Sequence, residues 1–530
     1  LATHGSSHEY ARQTGVQRFT LEAAVDFVNQ QSTRSLCFEQ RKAVGRVRDR
    51  HFDILGERRR VSVTMLDSIG RLTPLRSPFA HYTFQMNSDL IVSVSGIRGI
   101  VGQSLTPDVA CRFGAALGSY LKGGRVILSR DSRPSGRMLR SAVASGLTST
   151  GCNVEDIGLA PTPTVGIAVR QTSAAGGIQI TASHNPSPWN GLKMFGDDGA
   201  VLTAERVKEV QHLFEGGGIK YSAWDGIGDQ RVPPGMLEEH AKLACDAVSV
   251  GSIHASRFRV LLDANGGAGG PLGTSLLRQL GCEVVEVGCD ADGLFAHEAE
   301  PIPAHLKEIG PEVAHSKSAI GFVLDPDADR LALIDEQGNC ISEELTLALA
   351  VKFRLQQKRG PVVVNMSTSR VIEDIAREAG CDFLRTAVGE ANVVAGMRAS
   401  GAVIGGEGNG GVIDPRVGWV RDPFVGMAMI LNLMADYGRT LSELVAMLPA
   451  YAMLKTKFTV PKEKLAAALD AIEKRWPDAK VNRQDGLRLD WHDRWVHVRP
   501  SNTEPVVRVI AESPTEAGTK RLSEQAAACL

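Results

Sequence analysis

Three aspartates, Asp325, Asp327 and Asp329, alternate in the stretch LDPDADRLALID, directly after the apolar run AIGFVL. Carboxylates this close repel one another unless a cation compensates them, and an all-oxygen set suits a hard ion such as magnesium. The spacing also matches the start of a calcium EF-hand loop, with Glu336 at the twelfth position. That loop needs glycine at its sixth position, which holds Arg330, and helices on both sides, where this chain reads as strands.

An Asp-x-Asp pair after a buried strand also suits phosphotransferases of the haloacid-dehalogenase type, which use the first aspartate as nucleophile. Here Asp329 stands where that type prefers Thr or Val, and a third carboxylate serves a metal better than a nucleophile. A second candidate lies in GGIQITASHNPSPWNGLKMFGDDG. Ser183 is expected as an exposed hydroxyl after an apolar strand, flanked by His184 and Asn185, with Lys193 ten residues on as a proton carrier. A serine in a turn is most often only a turn residue. In this company it can also be a covalent phosphoryl acceptor, and the loop alone leaves both readings open.

Such loops need strands to carry them. From Met86 onward, apolar strands such as RVILSR alternate with amphipathic helices such as TPDVACRFGAALGSYL, where Thr106 is placed to cap and Pro107 to open the first turn. A Gly/Pro-rich stretch closes the first unit near Gly235. A second runs from FRVLLDANGG to the hairpin around DPDADR, and a third from EELTLALAVKFRL through AVIGGEGNGG to about Ala450. The tail alternates a helix, short strands and a last helix. The expected fold class is α/β, with three related α/β domains (86–235, 236–341, 342–452) plus a small C-terminal α+β domain (453–530) around a central cleft. Each larger unit sets a polar or glycine-rich loop after an apolar strand: TASHNP, DPDADR and GEGNGG. Open α/β sheets bind ligands at such loops, so facing domains would line one cleft with them.

Composition removes several alternatives. Lys and Arg number 59 against 60 Asp and Glu, so no broad basic face exists for nucleic acid. Nine cysteines without a CxxC pair point to a reducing compartment and to small buried hydrophobes, not to a disulfide framework or a zinc ribbon. The longest apolar run, FVGMAMILNLMA, falls short of a bilayer span, and the N-terminus lacks the apolar core of a signal peptide. A cytoplasmic protein with no nucleic-acid or membrane partner is expected. Residues 1–85 stand apart: twelve Arg and one Lys against eight acidic residues give +5, leaving −6 for the remainder. This poorly patterned segment starts at Leu1, and Met86 directly precedes the first patterned strand. It is expected to be a non-native or mis-called extension, with a disordered basic arm as the alternative, and its deletion to leave folding and turnover intact.

Taken together the loops resemble those of the α-D-phosphohexomutase superfamily: phosphoglucomutases, phosphomannomutases and phosphoglucosamine mutases. TASHNP is similar to its phosphoserine loop, DPDADR to its magnesium loop, GEGNGG to its sugar-binding loop and RPSNTEP to its phosphate-binding loop, while SGIRG and SRDSRPSG are similar to its opening segments. The resemblance covers about residues 90–530 in family order. It implies that Ser183 carries the phosphoryl group and that Mg2+ is held by a phosphate oxygen on Ser183 with Asp325, Asp327 and Asp329. It makes Lys193 the general acid/base, with Arg98 and Arg330 steadying the phosphoryl oxygens. Glu407 would accept hydrogen bonds from sugar hydroxyls, and Arg499, Ser501, Asn502 and Thr503 would cradle the phosphate not being transferred, with Arg508 assisting.

The implied reaction interconverts hexose 6-phosphate and hexose 1-phosphate through a hexose 1,6-bisphosphate, which also serves as activator. Retaining that intermediate favours a deep cleft closed by a mobile fourth domain. The partners are small sugar phosphates, and the protein is a monomer or homodimer. Many family members have a Glu-x-Ser-Gly-His loop, whereas here Asn409 replaces the serine and Gly411 the histidine. The lost imidazole is expected to leave room beside Glu407 for a carbon-2 substituent, which favours glucosamine phosphate over mannose and glucose phosphates. A phosphomonoesterase acting through a Ser or Asp phosphoenzyme is the alternative enzyme, and a non-enzymatic sugar-phosphate binder is more distant.

Overall fold

The computed structural model describes residues 90–93, 96–500 and 506–530. The expectations for segment 1–85 and for Ser501, Asn502 and Thr503 therefore lie outside the described residues. Four sheets organise the rest. In the first, the strands Gly124–Arg130, Cys152–Leu159 and Gly176–Ile180 run parallel, and Trp189–Gly196 returns antiparallel beside Gly176–Ile180. The second sheet repeats this plan with Arg259–Asp263, Glu283–Val287, Ile320–Leu324 and the antiparallel Leu331–Ile334. The third repeats it with Val362–Asn365, Phe383–Thr386, Ile404–Glu407 and the antiparallel Gly411–Ile413.

In all three sheets the third strand of this set lies beside the first, and its C-terminal end feeds a short loop into the antiparallel strand. Those loops are TASHNP, DPDADR and the turn after Glu407. The ends of parallel strands in such sheets point ligand-binding loops to one side. The fourth sheet is wholly antiparallel, in the order Ala452–Phe458, Val507–Ser513, Trp495–Pro500, Leu487–Asp490 and Lys480–Asn482.

One apolar cluster joins the second and third sheets, and the helix Pro423–Tyr437 runs through it with every residue from Pro423 to Met434 buried. This is why FVGMAMILNLMA is apolar on all sides: a helix enclosed all round needs no polar face. Among the described residues no helix is long and apolar enough to cross a membrane. The first and fourth sheets keep separate cores.

Two local expectations need correction. Thr106 does sit at the N-cap of the helix Pro107–Leu121, but its hydroxyl makes no capping bond; Pro107, which has no N–H to satisfy, opens the turn, and Val109, Phe113 and Leu117 anchor the buried face. Of the eight described cysteines, all free, only Cys152 and Cys282 are fully buried. The other six are partly buried.

Candidate active site

Ser183 follows the strand Gly176–Ile180 and stands in the left-handed region, at φ 50°. A non-glycine residue is held there at a cost of about 1 kcal/mol or more, so its surroundings must fix it. Arg133 does so. Its guanidinium donates to the carbonyls of Ser183 at 2.6 Å and Asn185 at 2.7 Å, and its Nε to Asp131 Oδ2 at 3.1 Å. The same Asp131 oxygen accepts from Thr181 Oγ1 at 2.7 Å, and Thr181 Oγ1 accepts the Ser183 N–H at 2.8 Å. Burial raises the Asp131 carboxyl to about 6. The sequence reading made Ser183 an exposed hydroxyl, yet it is 1 % exposed. The aspartate loop of the second sheet covers it, with Ser183 Oγ donating to Asp325 Oδ2 at 3.0 Å.

Asp325, Asp327 and Asp329 are each fully buried, and one carboxylate oxygen from each lies within 4.8 Å of the others. Asp325 Oδ1 accepts the backbone N–H groups of Asp329 and Arg330 at 3.0 and 3.1 Å, which turns its Oδ2 toward the serine. Burial, and then the charges of Asp327 and Asp329, push the Asp325 carboxyl well above the usual range. Lys193, on the returning strand Trp189–Gly196, places Nζ 3.0 Å from Asp327 Oδ2 and 2.6 Å from Asp329 Oδ2. Burial works against its charge, but these two carboxylates outweigh it and hold the ammonium above its ordinary pKa. Thr162 Oγ1 donates to Asp327 Oδ2 at 2.6 Å. The Oδ1 atoms of Asp327 and Asp329 are buried and meet no donor among the described residues. Two orphaned carboxylate oxygens beside Asp325 fit a hard divalent cation, since such a set is otherwise costly to bury.

The loop that begins at Glu407 joins this cluster through a residue that sequence reasoning missed. Arg421 donates to Asp329 Oδ2 at 2.6 Å and to Glu407 Oε2 at 3.0 Å, while its backbone N–H donates to Glu390 Oε1 at 2.7 Å. Burial opposes the guanidinium charge, but Asp329, Glu390 and Glu407 hold it firmly charged. The other Glu407 oxygen accepts from Asn365 Nδ2 at 2.8 Å and from the Gly389 N–H at 3.1 Å. A Cβ on Gly410 would collide with the Leu331 carbonyl, so this turn lies directly against the strand after the aspartate loop. A Cβ on Gly411 would collide with Arg421 Cδ. The expectation of open room at Gly411 is therefore corrected: the arginine side chain occupies that space and contacts Glu407 instead.

Arg98 Nη1 donates to Asn185 Oδ1 at 2.7 Å, and Arg330 Nη1 to Glu300 Oε1 at 2.7 Å, the same oxygen that lies 4.0 Å from His184 Nε2 of the serine loop. His184 Nδ1 is 3.2 Å from Ser183 Oγ; burial, then the charges of Arg330 and Arg98, keep this imidazole neutral. Asn409 Nδ2 lies 3.4 Å from Glu407 Oε2. Arg499 and Arg508 are partners in register on adjacent strands of the fourth sheet. Arg499 Nε donates to Asp485 at 3.1 to 3.2 Å.

Arg133, Thr162, Glu390 and Arg421 are the contributors that sequence reasoning did not single out. Arg133 lies within SRDSRPSG, quoted above without a role for this residue, and Arg421 carried a local signal: RDP places it just before Asp422, whose carboxylate caps the N-terminus of the helix Pro423–Tyr437.

Sequence models of four domains match in chain order. They are the phosphoglucomutase/phosphomannomutase alpha/beta/alpha domains I (89–218), II (238–338) and III (342–451) and the C-terminal domain (456–528). A Methanopyrus kandleri protein named "Probable phosphoglucosamine mutase" is 37% identical over 81% of this chain and 95% of its own length. A Thermococcus kodakarensis "Phosphoglucomutase/phosphomannomutase" is 37% identical over 79% of this chain and 94% of its own. The crystal structure of a phosphoglucomutase/phosphomannomutase family protein from Burkholderia thailandensis superposes with a TM-score of 0.74 at 28% identity, covering 83% of this chain and 96% of that one. The chain belongs to the phosphoglucomutase/phosphomannomutase family and is a phosphohexomutase, an intramolecular phosphotransferase.

Proposed function

We propose that the protein interconverts hexose 6-phosphate and hexose 1-phosphate through a phosphoserine at Ser183 and a hexose 1,6-bisphosphate, with glucosamine phosphate as preferred substrate. The observation that carries the reading is one cluster: Ser183 Oγ on Asp325, and Lys193 between Asp327 and Asp329. On this reading the segments 86–235, 236–341, 342–452 and 453–530 are four domains, contributing in turn the serine, aspartate, sugar and phosphate loops.

Asp325, Asp327 and Asp329, with a phosphate oxygen on Ser183, would hold Mg2+, which when bound supplies positive charge to the phosphoryl group in transfer. The sugar hydroxyl attacks the phosphorus, the P–O bond to Ser183 breaks, and the proton lost by the sugar is balanced by one gained at Ser183 Oγ. Lys193, which Asp327 and Asp329 hold as the ammonium, gives its proton to the departing oxygen and takes up the one that the attacking hydroxyl loses. Arg98 and Arg330 steady the phosphoryl oxygens, and burial of Ser183 excludes the water that would divert transfer to hydrolysis. Glu407 accepts from sugar hydroxyls, while Arg499, Ser501, Asn502 and Thr503, assisted by Arg508, hold the other phosphate.

For the sugar, the name of the Methanopyrus kandleri relative and Asn409 support glucosamine. Asn409 Oδ1 is buried and meets no donor among the described residues, and an ammonium at carbon 2 would give it a charge-assisted hydrogen bond. Assays of glucosamine, mannose and glucose phosphates, each with a trace of bisphosphate, are expected to give the highest kcat/KM for glucosamine phosphate, by about tenfold. Glucose 1-phosphate proving best by about a hundredfold, nearly 3 kcal/mol, would overturn the sugar assignment. Steady release of inorganic phosphate would instead favour the phosphomonoesterase.

The metal assignment has its own test. Chelation is expected to abolish wild-type turnover and Mg2+ to restore it, with calcium a poor substitute. Asp327→Asn should need a much higher Mg2+ concentration, measured by direct titration of binding as well as by rate. Full activity in excess chelator would show the aspartate loop to be structural.

A further inference from the structure

We propose that Asp485 is a positioning residue that ties the grip on the non-transferring phosphate to the grip on the sugar; this rests on the mutase reading above. Asp485 lies in the turn between the strands Lys480–Asn482 and Leu487–Asp490 of the fourth sheet. Its carboxylate accepts from Arg499 Nε and also crosses to the third sheet's loops, accepting the Val388 N–H at 2.9 Å. The neighbouring Gly389 N–H donates to Glu407 Oε1.

A second route leads to the same oxygen. His497 Nε2 is 2.7 Å from the Asp485 carbonyl, and its Nδ1 is 3.1 Å from Ser367 Oγ. A carbonyl only accepts, so Nε2 carries the proton and Nδ1 accepts from the serine hydroxyl. The Ser367 N–H donates to Asn365 Oδ1 at 2.8 Å, and Asn365 Nδ2 donates to Glu407 Oε1. The two routes close a ring from Asp485 to Glu407 and back, with Arg499 attached at Asp485.

Ser369 and Arg370 also tie the third domain to the fourth, donating to Glu512 and to the Trp491 carbonyl, and the two routes to Glu407 Oε1 add a tie between Asp485 and the Glu407 loop themselves. The turn cannot easily shift to compensate. Gly486, next to Asp485, has φ +74°, and a Cβ there would collide with the Val498 carbonyl, so the turn is pressed onto the strand carrying Arg499. With Nε committed to Asp485, the plane of the Arg499 guanidinium is set, and its outer N–H groups are directed as one fork. Displacing Arg499 therefore strains the Glu407 loop. Both holds on the bisphosphate are kept together while it turns over.

The test uses the full-length chain with Asp485→Asn and Asp485→Ala, reading kcat, KM and the fraction of labelled bisphosphate released per turnover. Asp485→Ala is expected to raise KM by about tenfold and to increase bisphosphate release, with kcat changed less. Asp485→Asn, which keeps an acceptor for Val388 but no charge for Arg499, should fall between, and it carries the test if the alanine variant does not fold. In an Arg499→Ala background, Asp485→Ala should raise KM by no more than about threefold, because much of its effect acts through that arginine. A lowered melting temperature with KM and release unchanged, or a full tenfold effect in the Arg499→Ala background, would overturn the proposal. A wild-type protein without mutase turnover would overturn the functional reading instead.

Discussion

Replacing Ser183 by alanine is expected to abolish both the phosphoryl group on the protein and mutase turnover, while leaving the fold intact. Wild-type protein should show one phosphoryl group by intact mass, mapped by peptide analysis to Ser183, and the variant none. Turnover should fall by about 10⁴-fold or more, the scale on which losing a covalent acceptor acts. Stability should change little, because serine and alanine meet the same steric cost at φ 50° and Arg133 holds the backbone rather than the hydroxyl. A Ser183→Ala protein that keeps full turnover would remove the serine from the mechanism and turn attention to the buried carboxylates and His184 as acceptors.

The three loops TASHNP, DPDADR and GEGNGG were legible because each carries its chemistry within a few residues and directly follows an apolar strand. The shared sheet plan explains why such loops recur: in every case the chain leaves the third strand at its C-terminal end and doubles back antiparallel. What local patterns could not show was how the loops meet. Ser183 was expected to be exposed because nothing within its own domain covers it in sequence; its cover comes from Asp325, 142 residues away. Thr162 reads as an ordinary helix-opening residue until its hydroxyl is found on Asp327, 165 positions on. Asp485 reads as a turn residue for the same reason. Pairings across domains leave no period or spacing in the chain, so only chemistry concentrated in one loop can be recognised there.

Gly411 marks the sharper lesson. From the sequence, a glycine in place of a bulky residue reads as added space for substrate. In the fold the glycine instead admits Arg421, which comes from just before a helix ten residues later. A missing side chain can thus mean that another residue has taken its volume, and the substitution has to be read together with whatever fills it.

Arg421→Met is therefore expected to have the second large effect. It leaves Asp329, Glu407 and Glu390 buried around a neutral side chain, and removing one partner of a buried ion cluster typically costs about 3–5 kcal/mol. Activity should fall steeply, because the same arginine orients the Asp329 and Glu407 carboxylates. The loss should depend on pH. Burial already raises the Glu390 carboxyl above its ordinary value despite Arg421 beside it, and without the arginine it should rise further. A carboxyl whose folded pKa exceeds its unfolded value contributes stability below the unfolded pKa, near 4.5, and loses it as pH rises through the folded pKa. The stability gap between wild type and Arg421→Met should thus be wider at pH 8 than at pH 5, and adding Glu390→Gln should narrow it at pH 8. Steric occupation has a separate test. Gly411→Ala should damage the wild-type protein by forcing Arg421 aside, and be tolerated in an Arg421→Ala background, a non-additivity that a double-mutant cycle reads directly. A gap that is the same at both pH values, together with additive Gly411 and Arg421 effects, would mean that the arginine neither compensates these carboxylates nor fills the space beside Glu407.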